Sequence, residues 1–332
     1  MSALAFDPAG KRPLALASED STIQFWDLAK GRLLPGSLNA AKGQFRFKRA
    51  DESVALTSIA YSPDGTMIAS GSEDKKVRLW NLASGNVTGE LAVHDDTVMA
   101  VAFNHNGSLL ASVGEKSVVV SEVAPPHKVA WRNAQHHKEA TAVAFNRDGS
   151  RLASADRDGT VFMWDAQSGR QIWAQQLDKT HLLALAFSPD ERSLAVGAAG
   201  AIVFLNAADG AVAKPIVVVQ GKVSSIAFDS LGKRLVSGAS DGMVRLWDVT
   251  RREPIGQPFE GHLKLVNSVA FIADGKTVAS VGADRRIMLW DADQPGWRAR
   301  ACAIVQQGAK LEAWPWPRNL RAQYNPRDVC AP

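Results

Sequence analysis

Gly275-Lys-Thr277 has the ending of a phosphate-binding loop, in which backbone N–H groups and a lysine cradle the phosphates of a nucleotide. That motif needs a glycine five residues before Gly275, and Ala270 stands there, inside an apolar strand pattern. The same place recurs as a hairpin turn along the chain, so the tripeptide reads as a turn. His136-His137 offers two imidazoles, but no Cys, His or carboxylate lies at zinc-finger or metalloprotease spacing from them. His137 is read as a structural histidine and His136 as exposed. Asp95-Asp96 and Glu73-Asp74 pair carboxylates, yet acid–base work needs two such groups at a defined separation in a cleft, and turn aspartates already have a structural task. No Gly-x-Ser-x-Gly elbow occurs. Asn86-Val-Thr88 and Asn106-Gly-Ser108 match glycosylation sequons, which carry meaning only on a secretion route. No catalytic, cofactor-binding or metal-ligating residue is assigned, and the chain is read as non-enzymatic.

One segment has chemistry of another kind. Lys42, Arg46, Lys48 and Arg49 interleave with Phe45 and Phe47. Basic residues alternating with aromatics can hold phosphates and stack on bases. The same alternation also describes an outer strand with Phe packed inward and Arg and Lys in water. The net charge of +4 is otherwise scattered, so nucleic acid is not the expected partner.

The elements that position these residues repeat. Phe6, Tyr61, Phe103, Phe145, Phe187, Phe228 and Phe271 mark equivalent points, with successive spacings of 55, 42, 42, 42, 41 and 43 residues. Around each, an alternating apolar run ends at the aromatic (Ala142-Val-Ala-Phe145). A polar turn follows (Asn146-Arg-Asp-Gly149), then a second apolar run to a small residue (Leu152-Ala-Ser154). A turn with Asp precedes a third run ending in Trp-Asp (Val161-Phe-Met-Trp-Asp165). Short runs of period two bounded by Gly and Asp are strand and hairpin signals. A period of about 42 residues fits four-stranded propeller blades. Glycine, which reaches positive φ without steric cost, stands four residues after the aromatic in every copy except the fifth, where Glu191 replaces it.

This pattern resembles the WD40 family over roughly residues 2 to 291. Trp26-Asp27, Trp164-Asp165, Trp247-Asp248 and Trp290-Asp291 match its signature dipeptide, and Trp80-Asn81 nearly does. The resemblance implies an all-β fold: a seven-bladed propeller of four-stranded blades over residues 1–291, with residues 292–332 as a tail that packs on the ring or closes it. It also implies a hydrogen-bonded set of His, Ser or Thr, turn Asp and Trp in each blade. Two copies carry the full set: His137, Ser154, Asp158 and Trp164, and His262, Ser280, Asp284 and Trp290. The second keeps Ser70, Asp74 and Trp80 without a histidine, and the sixth keeps Ser237, Asp241 and Trp247 with Gln220-Gly221 in the histidine's place. The third and fifth lose the Asp, the Trp and one turn residue together, Ser121 and Leu205 standing at the Trp position. An absent indole removes the donor that the network serves, so aliphatic packing alone is expected there.

Gly296-Trp-Arg-Ala-Arg-Ala-Cys302, Arg318-Asn-Leu320, Tyr324 and Cys330-Ala-Pro332 are similar to the terminal segment of WD40 arrays in bacterial multidomain signalling proteins, whose upstream halves are NTPase, kinase or protease modules. Trp314-Pro-Trp-Pro317 departs from that pattern. No strand precedes Leu4 to complete the last blade, so either residues 300 to 305 supply one or the chain is the end of a longer protein, the reading favoured here. Cys302 and Cys330, the only cysteines, are read as reduced. The longest uncharged apolar run, Leu194 to Leu205, is short of the roughly 18 residues that span a bilayer, and Met-Ser-Ala-Leu-Ala-Phe lacks the basic start of a secretion signal. A cytoplasmic location without membrane contact is expected.

The functional expectation is a non-catalytic protein-interaction scaffold or sensor, partnered by other proteins or by an upstream effector domain. By resemblance, the binding face uses residues just before the turn Asp and at the start of each first strand: Glu73, Lys138, Arg157 and Lys264. The alternatives are an enzyme with its site in a funnel on the propeller axis, and a nucleic-acid binder using residues 42–49.

Overall fold

The computed structural model describes residues 2–7, 13–27, 32–39, 54–91, 93–178, 181–272, 275–293 and 299–300. The basic–aromatic residues 42–49 and the tail from Ala301 onward, with Cys302 and Cys330, lie outside them.

All regular elements of the described residues are strands. They follow the apolar runs: Ala140–Phe145, Arg151–Asp156, Thr160–Asp165 and Gln171–Gln176 form one antiparallel meander, paired in sequence order. The turn after Phe145 closes through Gly149 N–H donating to Asn146 O at 3.1 Å, with Gly149 at φ 73°. In the fifth repeat Glu191 takes the same left-handed conformation at φ 60° without being glycine. Its carboxylate accepts the Asp148 N–H at 2.9 Å, a bond to the preceding repeat that offsets part of the backbone cost.

Five sheets are separate four-stranded blades of this design, and the sixth has six strands. This corrects the expectation of seven separate four-stranded blades. Repeats five and six share the larger sheet, through Ser193–Asn206 and Val212–Phe228. The join is the segment Val212–Phe228, which stays extended from one repeat into the next; within repeat five Ser193–Asn206 likewise continues through Gly200 at φ 72°. Val212–Phe228 then pairs with Ala201–Leu205 through its first half and with Leu235–Ala239 through its second. It thereby serves as the outer strand of one repeat and the inner strand of the next.

The sheets pack face to face. Ala153, Val161 and Met163 of repeat four meet Leu194, Val196 and Val203 of repeat five. Leu4, Leu14, Leu16 and Trp26 of the first repeat meet Ala279, Val281 and Ile287 of the last. Successive faces in contact, with the first against the last, make a closed propeller. Closure is by apolar packing between complete sheets, and the last sheet takes Ala299–Arg300 as its outer strand against Leu289 and Trp290. Trp80, Trp164 and Trp290 are among the largest fully buried side chains, each worth about 1.5–3 kcal/mol or more of burial. Among the described residues no helix is long and apolar enough to cross a membrane.

Candidate interaction face

A buried indole needs an acceptor, and the second strand supplies a serine. The Nε1–H groups of Trp80, Trp164, Trp247 and Trp290 donate to the Oγ of Ser70, Ser154, Ser237 and Ser280 at 2.8–2.9 Å. In the last repeat the chain continues. His262 Nε2 lies 2.8 Å from Ser280 Oγ, and its Nδ1 lies 3.0 Å from Asp284. The donors then have one consistent order: the serine hydroxyl donates to Nε2, and Nδ1–H donates to the carboxylate. Burial pushes the Asp284 carboxyl up, but hydrogen bonds from His262 and from the N–H groups of Leu263 and Arg286 hold it below its ordinary value.

Serine, histidine and aspartate in this order have the connectivity of a nucleophilic triad. Here the serine is fully buried, and its oxygen both accepts from Trp290 and donates to His262. No substrate can approach it, so the trio ties strands together.

Repeat four builds the same network from other residues than expected. His136 Nε2 lies 2.8 Å from Ser154 Oγ and Nδ1 lies 3.0 Å from Asp156, both side chains buried. His137 and Asp158, the expected members, are exposed. Asp156 sits two positions earlier than Asp284 does in its repeat, at the place of Gly282, and turns inward. Phe162 packs edge-on to His136 with ring centres 4.8 Å apart. The missed signal was spacing: histidine and serine are 18 residues apart in both networks.

The same spacing finds a third network. His94 Nε2 lies 2.8 Å from Ser112 Oγ, and Nδ1 lies 3.1 Å from Ser117 Oγ. Burial, helped by Arg132 and opposed by Asp95, lowers the His94 pKa to about 4. Repeat three is therefore not held by aliphatic contacts alone. Nor is repeat five, where Phe204 packs against Phe228 with centres 6.4 Å apart and Leu205 shares a core with Trp173. Repeats two and six, lacking histidine, use an arginine from the third strand: Arg78 meets Asp74 at 2.5 Å and Arg245 meets Asp241 at 2.7 Å.

These networks stand beneath one rim. In repeats two, four and seven the turn between the second and third strands is bonded to the approach of its first strand: Glu73 N–H to Ala55 O at 3.0 Å, Arg157 N–H to Glu139 O at 3.1 Å, Ala283 N–H to Leu265 O at 2.8 Å. Glu73, Lys138, Arg157 and Lys264 thus share this rim, and all are exposed. Arg157 Nε pairs with Glu139 at 2.7 Å across half-exposed surface, and Leu263, beside Lys264, is 71% exposed. Lys75, Glu115 and Arg285 hold left-handed backbone at the same turns, with φ of 72°, 51° and 64°. The turn at Gly275, by contrast, is an ordinary hairpin, its N–H donating to Ile272 O at 2.9 Å.

Comparison with known proteins agrees with this architecture. A family model described as WD domain, G-beta repeat matches residues 45–81 and 85–120. Another, described as outer membrane protein assembly factor BamB, matches residues 115–300. The protein Rae1 of Drosophila melanogaster is 33% identical over 101 residues, 30% of this chain and 26% of that protein. The telomerase protein component 1 of Mus musculus is 32% identical over 77 residues, 23% of this chain and 2% of that protein. A coronin-like protein of Saccharomyces cerevisiae is 28% identical over 89 residues, 27% of this chain and 12% of that protein. The chain therefore spans 26% or less of the length of each of these relatives. A chain in the crystal structure of a mitotic checkpoint complex superposes with a TM-score of 0.76 at 22% identity, over 88% of this chain and 86% of that one, a likeness of fold. With the second family model covering more than half of its length, the chain belongs to the β-propeller repeat family described as outer membrane protein assembly factor BamB, and it carries WD-domain repeats over 45–81 and 85–120.

Proposed function

We propose that this chain is a non-catalytic protein-interaction module that captures a partner on the rim carrying Glu73, Lys138, Arg157 and Lys264. The observation that carries this reading is the bond from the Leu263 N–H to Asp284 at 2.9 Å. It joins the rim directly to the buried network of His262, Ser280 and Trp290. The rim is therefore displayed on a rigid support, which lowers the ordering cost of docking. WD-repeat propellers typically serve as protein-interaction scaffolds, which agrees with it. The buried Ser–His–Asp trio supports a structural task over a chemical one.

As part of the same reading, the chain works in the cytoplasm as a sensor module of a larger bacterial signalling protein. The resemblance of Arg318-Asn-Leu320, Tyr324 and Cys330 to segments of such arrays supports this. The test is charge reversal. With Arg157→Glu and Lys264→Glu together, recovery of partners cross-linked to the full-length protein in its native host falls while the melting temperature holds. Recovery equal to wild type would remove the rim from the mechanism.

A further inference from the structure

Repeats two and six have the same third strand, Val-Arg-Leu-Trp, as Val77–Trp80 and Val244–Trp247. In repeat two the fourth strand Val87–Leu91 lies alongside, with Val77 opposite Leu91 and Arg78 opposite Glu90. Arg78 reaches Asp74 through both Nη atoms, at 3.2 and 2.5 Å, and its Nε lies 3.3 Å from Glu90. Two carboxylates enclose this guanidinium, and its side chain is only 4% exposed.

In repeat six the fourth strand covers only Glu253–Pro254, and pairing resumes at a single bridge between Val244 and Phe259. Counted back from that bridge, Pro258 occupies the place of Glu90. It brings no carboxylate. Arg245 keeps Asp241 at 2.7 Å but stays 15% exposed, and its buried Nη1 finds no acceptor among the described residues. Beside it opens a notch of about 360 Å³ lined by Arg245, Leu246, Trp247, Pro254, Gln257 and Pro258.

We propose that this notch binds an acidic side chain of a partner polypeptide, a Glu or Asp flanked by apolar residues, in the position that Glu90 holds in repeat two. Three features choose this occupant. The guanidinium has donors left over, and a carboxylate is their strongest acceptor. Pro254 and Pro258 give apolar walls that suit the neighbours of the acid, over a floor of the buried Leu246 and Trp247. The space is larger than a lone carboxylate needs. A small carboxylate alone would leave those walls wet. The notch is on the outer edge of the sheet, not on the turns of the rim, so the two proposals stand separately.

The test uses the full chain and three probes: acetyl-Leu-Glu-Leu-amide, its Gln counterpart, and acetate. The readout is the shift of the Trp247 indole N–H resonance, since Trp247 lines the notch. The Glu peptide shifts it with an affinity about tenfold or more above the Gln peptide, the worth of one charge-assisted contact. Acetate shifts it more weakly than the Glu peptide. Pro258→Glu supplies the missing carboxylate from the chain itself, so it abolishes the Glu-peptide response while keeping a wild-type or higher melting temperature. Equal response to the Glu and Gln peptides, or none to either, overturns the proposal. Acetate binding as tightly as the peptide overturns the polypeptide occupant. A folded Pro258→Glu variant that still binds the Glu peptide overturns the location. Should that variant not fold, the comparison of Glu and Gln peptides on the unaltered chain decides alone.

Discussion

His94 stands 18 residues before Ser112, and its Nε2 lies 2.8 Å from the Ser112 hydroxyl, the relation that His262 has to Ser280 in the last repeat. The partner at Nδ1 differs. His262 has a carboxylate there, whereas His94 has the Ser117 hydroxyl at 3.1 Å. The Ser117 hydroxyl brings no charge to offset a proton gained by the His94 ring.

That difference predicts a pH dependence of stability. The His94 pKa falls from an ordinary 6.5 to about 4 in the folded chain, mainly by burial, with Arg132 adding and Asp95 opposing. The unfolded state then binds the proton more readily than the folded one. The stabilisation is complete above pH about 6.5 and is lost as pH falls toward 4. Between pH 7.5 and 5 the loss from this group is about 2 kcal/mol. His94→Gln keeps a hydrogen-bonding group near Ser112 without a titrating one. Urea unfolding of both forms at the two pH values measures the difference, and parallel losses would show that His94 does not titrate as described.

Asp156 and Asp158 separate the network observed from the one expected. Asp156 accepts the His136 ring N–H at 3.0 Å and the N–H groups of Asp158 and Thr160 at 2.9 Å, and it is fully buried. Asp156→Ala leaves these donors orphaned and costs about 3 kcal/mol, in the range for breaking a buried polar network. Asp158→Ala, at an exposed turn position, changes stability by about 0.5 kcal/mol or less. Thermal unfolding of the two variants gives the order. A larger loss for Asp158→Ala would return the network to the expected members.

The repeat was legible because it rests on period, and period survives substitution. The strands ending at Phe103, Phe145 and Phe271, and the turn glycines such as Gly149, stand where alternation and φ requirements put them. Even Glu191 was recognisable as the copy lacking its glycine. The adjacent pair His136-His137 was not resolvable by type, since both imidazoles suit a network; the 18-residue spacing to Ser154 separates them. Asp156 was hidden because it left the turn position for one two residues earlier. Arg78 and Arg245 look like solvent-facing strand residues, and only the aspartate at i−4 hints that they replace a histidine. The merging of repeats five and six depended on the conformation of 212–228, a property of register that composition does not encode.

Gly242 couples repeat six to the rim of the last repeat. It sits at φ 81° in the turn after Asp241, and an added Cβ would meet the His262 carbonyl oxygen at 2.8 Å and that of Lys264 at 3.2 Å. Both atoms belong to the backbone, so neither can swing aside as a side chain would. Gly242→Ala therefore carries two costs, left-handed backbone for a residue with a Cβ and displacement of 262–264, together about 1–3 kcal/mol. Lys75 and Arg285 tolerate the same conformation at their own turns, so backbone strain alone is survivable. The larger effect falls on position: the segment carrying His262, Leu263 and Lys264 shifts away from repeat six and loosens the bond to Asp284. Amide hydrogen exchange at Leu263 reads this directly, its N–H being the donor to Asp284. Faster exchange there, with the amides of Thr160–Asp165 unchanged, is the expected result. Unchanged protection of the Leu263 amide would mean that the two repeats are not in contact through this glycine.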